Sequence, residues 1–120
     1  MVAPDHPLTQ LTGPRVQHLA DYPAILPSSA TYTHAIVRAA FERLQARLQI
    51  RLETNYLETI RMMVSIGLGW STLPCTMRNA EVVTLPLPEL ELHRTLGAVY
   101  HQDRTLSHAA EALLSLLPTV

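Results

Sequence analysis

The chain has 120 residues, one cysteine, no lysine and a formal net charge of −1. That length fits one domain, typically about 100–150 residues. It has no basic footprint for gripping nucleic acid phosphates, and Cys75 alone excludes an internal disulfide. No basic segment precedes an apolar run at the N-terminus, and no apolar stretch reaches the roughly 20 residues of a membrane span. The expectation is a soluble, cytoplasmic protein.

Residues 1–14 carry Pro4, Pro7, Gly13 and Pro14 and read as a loop or lead-in. Val16–Ala20 fits a short helix stopped by Pro23, and Ala24–Leu26 a short buried strand ended by Pro27. The polar run 28–33 is rich in helix N-cap types. Val37, Phe41, Leu44 and Leu48 then form an apolar stripe, opposed by Arg38, Glu42, Arg43 and Arg47, as in an amphipathic helix. From Leu48 to Glu53 the pattern alternates, as in a half-buried strand.

Asn55 stands as an N-cap with Glu58 completing a capping box, and Leu57, Ile60 and Val64 form the stripe of the helix that follows. Gly67 suits a left-handed helix stop. Strands are expected at Trp70–Leu73, Val82–Leu87 and Leu96–Tyr100. A final helix is expected from about Ser107, with Ala109, Ala110, Leu113, Leu116 and Leu117 on its apolar side. Alternating strands and helices imply an α/β fold with a largely parallel sheet.

Chemistry is sparse. The six histidines are scattered, and no pair has i, i+4 metal-ligand spacing. His101 and His108 flank a loop containing Asp103, the one weak arrangement for a metal. Cys75 has no evident base, and nucleophile elbows, Walker loops and dinucleotide fingerprints are missing. Glu89 and Glu91 sit in a Pro-bounded loop, and Glu53 and Glu58 on different elements. Neither an enzyme nor a cofactor or metal site is expected.

The run Asn55–Pro74, with Gly67-Leu68-Gly69 after a helix and Leu73-Pro74 after a strand, resembles the effector-binding domain of LysR-type transcriptional regulators. His6-Pro7-Leu8, the stretch Leu19–Leu26, Arg94–Val99 and Leu106–Ala110 resemble further parts of that family in the same order. Trp70 departs from the aliphatic residue usual at its position.

The resemblance implies a periplasmic-binding-protein-like (type II) lobe, with a mixed, mostly parallel sheet flanked by helices. Residues 1–14 would be the lead-in after a first crossover, and 15–93 the second regulatory lobe. Residues 94–120 would be the return crossover strand and C-terminal helix, which pack on a first lobe outside this chain. It implies a small polar or anionic effector in an interlobe cleft, self-association, and DNA contact only through a winged helix-turn-helix domain that this chain lacks. Two loops before helices would meet the effector: Ser28, Ser29 and Thr31, and Thr54, Asn55 and Tyr56, with Trp70 as an aromatic wall. The ordinary role of such residues is helix capping. The other readings are an oligomerisation module, through the Leu-rich last helix and return strand, and a solute-binding protein lobe.

Overall fold

Three residues, Ala24-Ile25-Leu26, form the buried strand β1 at the centre of the fold. The computed structural model describes residues 1–118, so the last two positions of the expected return segment lie outside the described residues. β1 pairs in parallel with β2 (Ile50–Glu53). On its other side, Ile25 N–H donates to Trp70 O at 2.9 Å and Trp70 N–H to Pro23 O at 3.0 Å. The ladder continues: Ser71 N–H donates to Met1 O at 3.0 Å, and Val2 and Val83 exchange both backbone bonds at 2.9 Å. Across the sheet the backbone order is therefore 50–53, 24–26, 70–71, 1–2 and 82–83. The first three run parallel, and Val2 lies antiparallel to Val83.

Strand alternation assigns the two faces. Ala24 and Leu26 join a cluster with Val2, Leu8, Val16, Leu19, Val37, Phe41, Trp70 and Leu85. Helices α1 (Val16–Leu19) and α2 (Tyr32–Arg43) supply part of this layer. Ile25 faces the other way, against Val82 and against Ile60 and Val64 of α3 (Leu57–Ser65). The result is a helix–sheet–helix sandwich, an α/β arrangement with a small parallel sheet.

Several expectations are refined. Residues 1–14 are not simply loop: Val2 and Leu8 are core, and Pro7–Gln10 makes a 3-10 turn. α2 ends at Arg43, so Leu48 lies beyond it, and β2 begins only at Ile50. β2 is an edge strand with Leu52 exposed rather than half-buried. Strands at Trp70–Leu73 and Val82–Leu87 shrink to isolated bridges at Trp70 and at Val82 and Val83. Gly67, at φ +80°, closes α3 as expected.

The largest correction is C-terminal. Leu96–Tyr100 forms no strand, because no neighbouring backbone among the described residues pairs with it; Val99 is 98% exposed. α4 (His108–Leu116) does form, with Ser107 Oγ accepting from Ala110 N–H at 3.2 Å, yet it buries no residue. A radius of gyration of 17.4 Å, against about 14 Å for a compact chain of this length, reflects this projecting arm.

His6 shows how the N-terminal segment is tied down. Its Nδ1 accepts from Leu8 N–H at 3.2 Å and its ring meets Tyr22 edge-on, with centroids 4.6 Å apart. Burial pushes its pKa below the usual 6.5, against a smaller opposing pull from Asp5. Above pH 6.5 the ring is neutral in folded and unfolded chains alike. Below it the unfolded chain takes up a proton that the fold resists, so stability falls with acidification. Melting curves between pH 7.5 and 5 should therefore slope less for His6→Asn, which keeps an acceptor for Leu8, than for the parent. Parallel slopes would refute the assignment.

Candidate functional site

At the carboxyl ends of β1 and β2 the chain turns into α2 and α3. Open α/β sheets place ligands at this edge. The two loops meet there. Thr54 N–H extends the ladder to Leu26 O at 3.1 Å. Asn55 Oδ1 accepts from Ser28 N–H at 2.9 Å, and Glu53 Oε2 from Ser29 N–H at 3.3 Å. Residues 24 and 27 positions apart in sequence thus form one surface.

Much of the local polar chemistry is already used. Thr31 caps α2: its Oγ1 accepts from His34 N–H at 3.3 Å and donates to Ser28 O at 2.7 Å. Asn55 does not cap α3 as expected; Tyr56 is the N-cap residue, with no side-chain cap bond, because the Asn55 carbonyl is engaged with Ser28. Glu58 likewise closes no capping box and instead holds Arg61, which also reaches Glu81, both at 2.9 Å. These two bonds keep the Arg61 pKa above its ordinary value, Glu58 contributing most.

What remains for a ligand are the hydroxyls of Ser28, Ser29 and Thr54, the Asn55 amide N–H groups and the Tyr56 ring. Tyr56 is 76% exposed. The N–H groups of Tyr32 and Thr33 at the start of α2, which is twelve residues long, also take no acceptor among the described residues.

Trp70 is not part of this surface. It is 2% exposed, stacks on Phe41 with centroids 5.4 Å apart, and its indole N–H donates to Leu19 O and Tyr22 O at 3.2 and 3.1 Å. A large ring with its one polar atom bonded internally is a core residue, so the aromatic-wall expectation is corrected.

Three residues not anticipated from sequence join the surface. His34, on the first turn of α2, is 2% exposed; its Nδ1 donates to Pro27 O at 2.9 Å and lies 4.0 Å from Glu53 Oε1. It fastens the end of β1 to α2, and the sequence around it carried no signal for that role. Glu53 had no signal beyond its place at a strand end. Arg94 donates through Nη1 to Thr33 Oγ1 at 3.1 Å, bringing a cation from 61 residues away to the start of α2.

Elsewhere, Glu89 Oε1 accepts from Val16 N–H at 2.9 Å, and that bond chiefly holds its pKa below the ordinary carboxylate value. It caps α1. Among the described residues no three His, Cys, Asp or Glu side chains gather around a common metal position, and His101 and Asp103 pair only with each other, 4.0 Å apart. No helix of the described residues is long and apolar enough to cross a membrane.

A family model described as LysR substrate binding domain matches residues 1–120. The uncharacterized HTH-type transcriptional regulator YbhD of Escherichia coli (strain K12) is 32% identical over 117 residues, covering 94% of this chain and 37% of that protein. The chain thus spans little more than a third of the length of that relative.

Proposed function

The chain belongs to the LysR substrate-binding domain family, and from that premise we propose that it is the effector-sensing part of a transcriptional regulator, without catalytic activity of its own. A type II periplasmic-binding-protein-like lobe over residues 15–93 accounts for the α/β sandwich. Residues 1–14 lead into it, and 94–120 return to pack elsewhere in a whole regulator. The whole protein would act in the cytoplasm, reach DNA through a winged helix-turn-helix domain, and change DNA-bound geometry as effector shifts the balance of lobe arrangements.

The observation that carries this reading is the joining of the 28–31 and 53–56 loops at the carboxyl edge of β1 and β2. The proposed effector contacts are Ser28, Ser29, Thr31, Thr54, Asn55 and Tyr56. Thr31 acts through its place in the cap, and the others through free polar groups. The Glu53 carboxylate already occupies the Ser29 N–H. An anionic effector would have to displace it, so a neutral polar effector is favoured at that position, and anions nearer Arg94 and the open end of α2.

The test is a screen of small polar metabolites against the isotope-labelled chain by amide chemical-shift perturbation. Bound compounds should move the amides of 28–31 and 54–56 at weak affinity, because one wall of a cleft buries little of a ligand. Compounds that move only distant amides would overturn the reading, and sub-micromolar binding by calorimetry would refute the weak affinity expected of the chain alone.

A second reading has its own support. Leu96, Val99, Tyr100, Leu113, Leu116 and Leu117 are all exposed on the C-terminal arm, and such apolar surface favours association. Self-association through this arm predicts that sedimentation becomes concentration-dependent and that Leu113→Ser with Leu116→Ser abolishes the dependence. A parent chain that stays monomeric at high concentration rules it out.

A further inference from the structure

We propose that Glu53 sets the charge preference of the candidate site by taking the ammonium group of a small amine effector. The inference rests on the effector reading and sharpens it to one chemical class. Glu53 ends β2, in register with Leu26, and the ladder bond from Thr54 N–H to Leu26 O at 3.1 Å fixes the backbone just beyond it. Its side chain crosses to the facing loop, where Oε2 accepts from Ser29 N–H at 3.3 Å. A carboxylate carried on a paired strand and held by a neighbouring backbone is preorganised for a ligand.

That carboxylate is only half used. Oε1 lies 4.0 Å from His34 Nδ1, whose proton is spent on Pro27 O at 2.9 Å, so Oε1 takes no hydrogen bond among the described residues. The chain has no lysine, and among the described residues no arginine brings a side-chain nitrogen within 4.0 Å of the Glu53 oxygens. The side chain is 38% exposed. It is open enough to be reached, yet covered enough that a charge meeting it is screened less than at a bare surface. A neutral hydroxyl satisfies the free oxygen but leaves the charge unmatched, whereas an ammonium group answers both. An anion meets repulsion there. Tyr56, on the same loop, adds a ring that is 76% exposed, and aromatic faces favour ammonium groups. The hydroxyls of Ser28, Ser29 and Thr54 accept from the same kind of donor.

The experiment titrates the full isotope-labelled chain with three probes of matched size and different charge: ethanolamine, ethylene glycol and glycolate. Ethanolamine should move the amides of 28–31 and 53–56. Ethylene glycol should bind there more weakly, and glycolate should move none of them. Glu53→Gln keeps an acceptor for Ser29 N–H and should weaken ethanolamine by about fivefold, removing its advantage over ethylene glycol. Glu81→Gln removes an equal charge elsewhere and should leave the response intact. Equal responses to all three probes, or an unchanged ethanolamine affinity in Glu53→Gln, overturn the proposal while the loops stay an effector site. Ethanolamine shifts that spread equally to the amides around Glu81 and Glu89 also overturn it, since they mark ion pairing with any carboxylate. If no probe moves the 28–31 and 53–56 amides, the proposal falls. The effector reading falls with it only when the wider screen of polar metabolites is blank there as well.

Discussion

Trp70→Ala is expected to remove a large share of the fold's stability. Truncating a buried tryptophan costs about 3–5 kcal/mol, against a total of roughly 5–15 kcal/mol for a domain of ordinary stability. The ring is sandwiched in the core against Phe41 and is 2% exposed. Its N–H ties the turn after α1, at Leu19 and Tyr22, to the backbone entering β1. Losing it removes packing and takes the donor from Tyr22 O, while Leu19 O keeps the Tyr22 N–H at 3.1 Å. Trp70→Phe keeps a ring on Phe41 and loses only the donor, for a smaller cost of about 1–3 kcal/mol. Urea unfolding followed by far-ultraviolet circular dichroism measures both. If Trp70→Ala unfolds within about 0.5 kcal/mol of the parent, as a surface substitution would, the core role fails and a ligand-facing role returns.

Gly69→Ala should be nearly as damaging despite adding one methyl group. A Cβ at position 69 would stand 2.3 Å from Pro23 O and 3.2 Å from its carbonyl carbon. That oxygen accepts from Trp70 N–H, so the clash cannot be relieved without parting β1 from the 70–71 segment. Overpacking against backbone costs about 3 kcal/mol. Gly67→Ala provides the contrast. Nothing lies within 4 Å of a Cβ there, but φ is +80°, so the cost is the left-handed strain of about 1–2 kcal/mol. Two glycines in Gly67-Leu68-Gly69 thus serve unrelated needs, one conformational and one steric. Equal losses at the two positions would contradict this division.

The first of those needs was legible in the sequence, because a glycine after an amphipathic stretch signals a helix stop. The second was not, since Pro23 lies 46 positions away and only the crossing of the two segments brings its carbonyl to Gly69. Asn55 shows the same limit at the candidate site. Its place before an apolar stripe favours an N-cap, and locally that was the better inference. The parallel pairing of β1 with β2 puts Ser28 N–H within 2.9 Å of its side chain, and that contact takes the carbonyl the cap would have used.

Local pattern, then, determined the elements. The spacing of Val37 and Phe41 made α2, the run Ile60–Val64 made α3, Ala24–Leu26 made the central strand, and Ser107 made the start of α4. These depend on periodicity and capping, which act over a few residues. Order along the chain also sufficed for the family resemblance. Tertiary structure decided what depends on distant partners: which alternating runs find a ladder, which polar groups are consumed by bonds across the sheet, and whether the one tryptophan faces a ligand or the core. Leu96–Tyr100 has strand-forming residues and no strand, because a strand exists only where another backbone meets its hydrogen bonds. Trp70 has the chemistry of a ligand wall, and packing against Phe41 made it core instead.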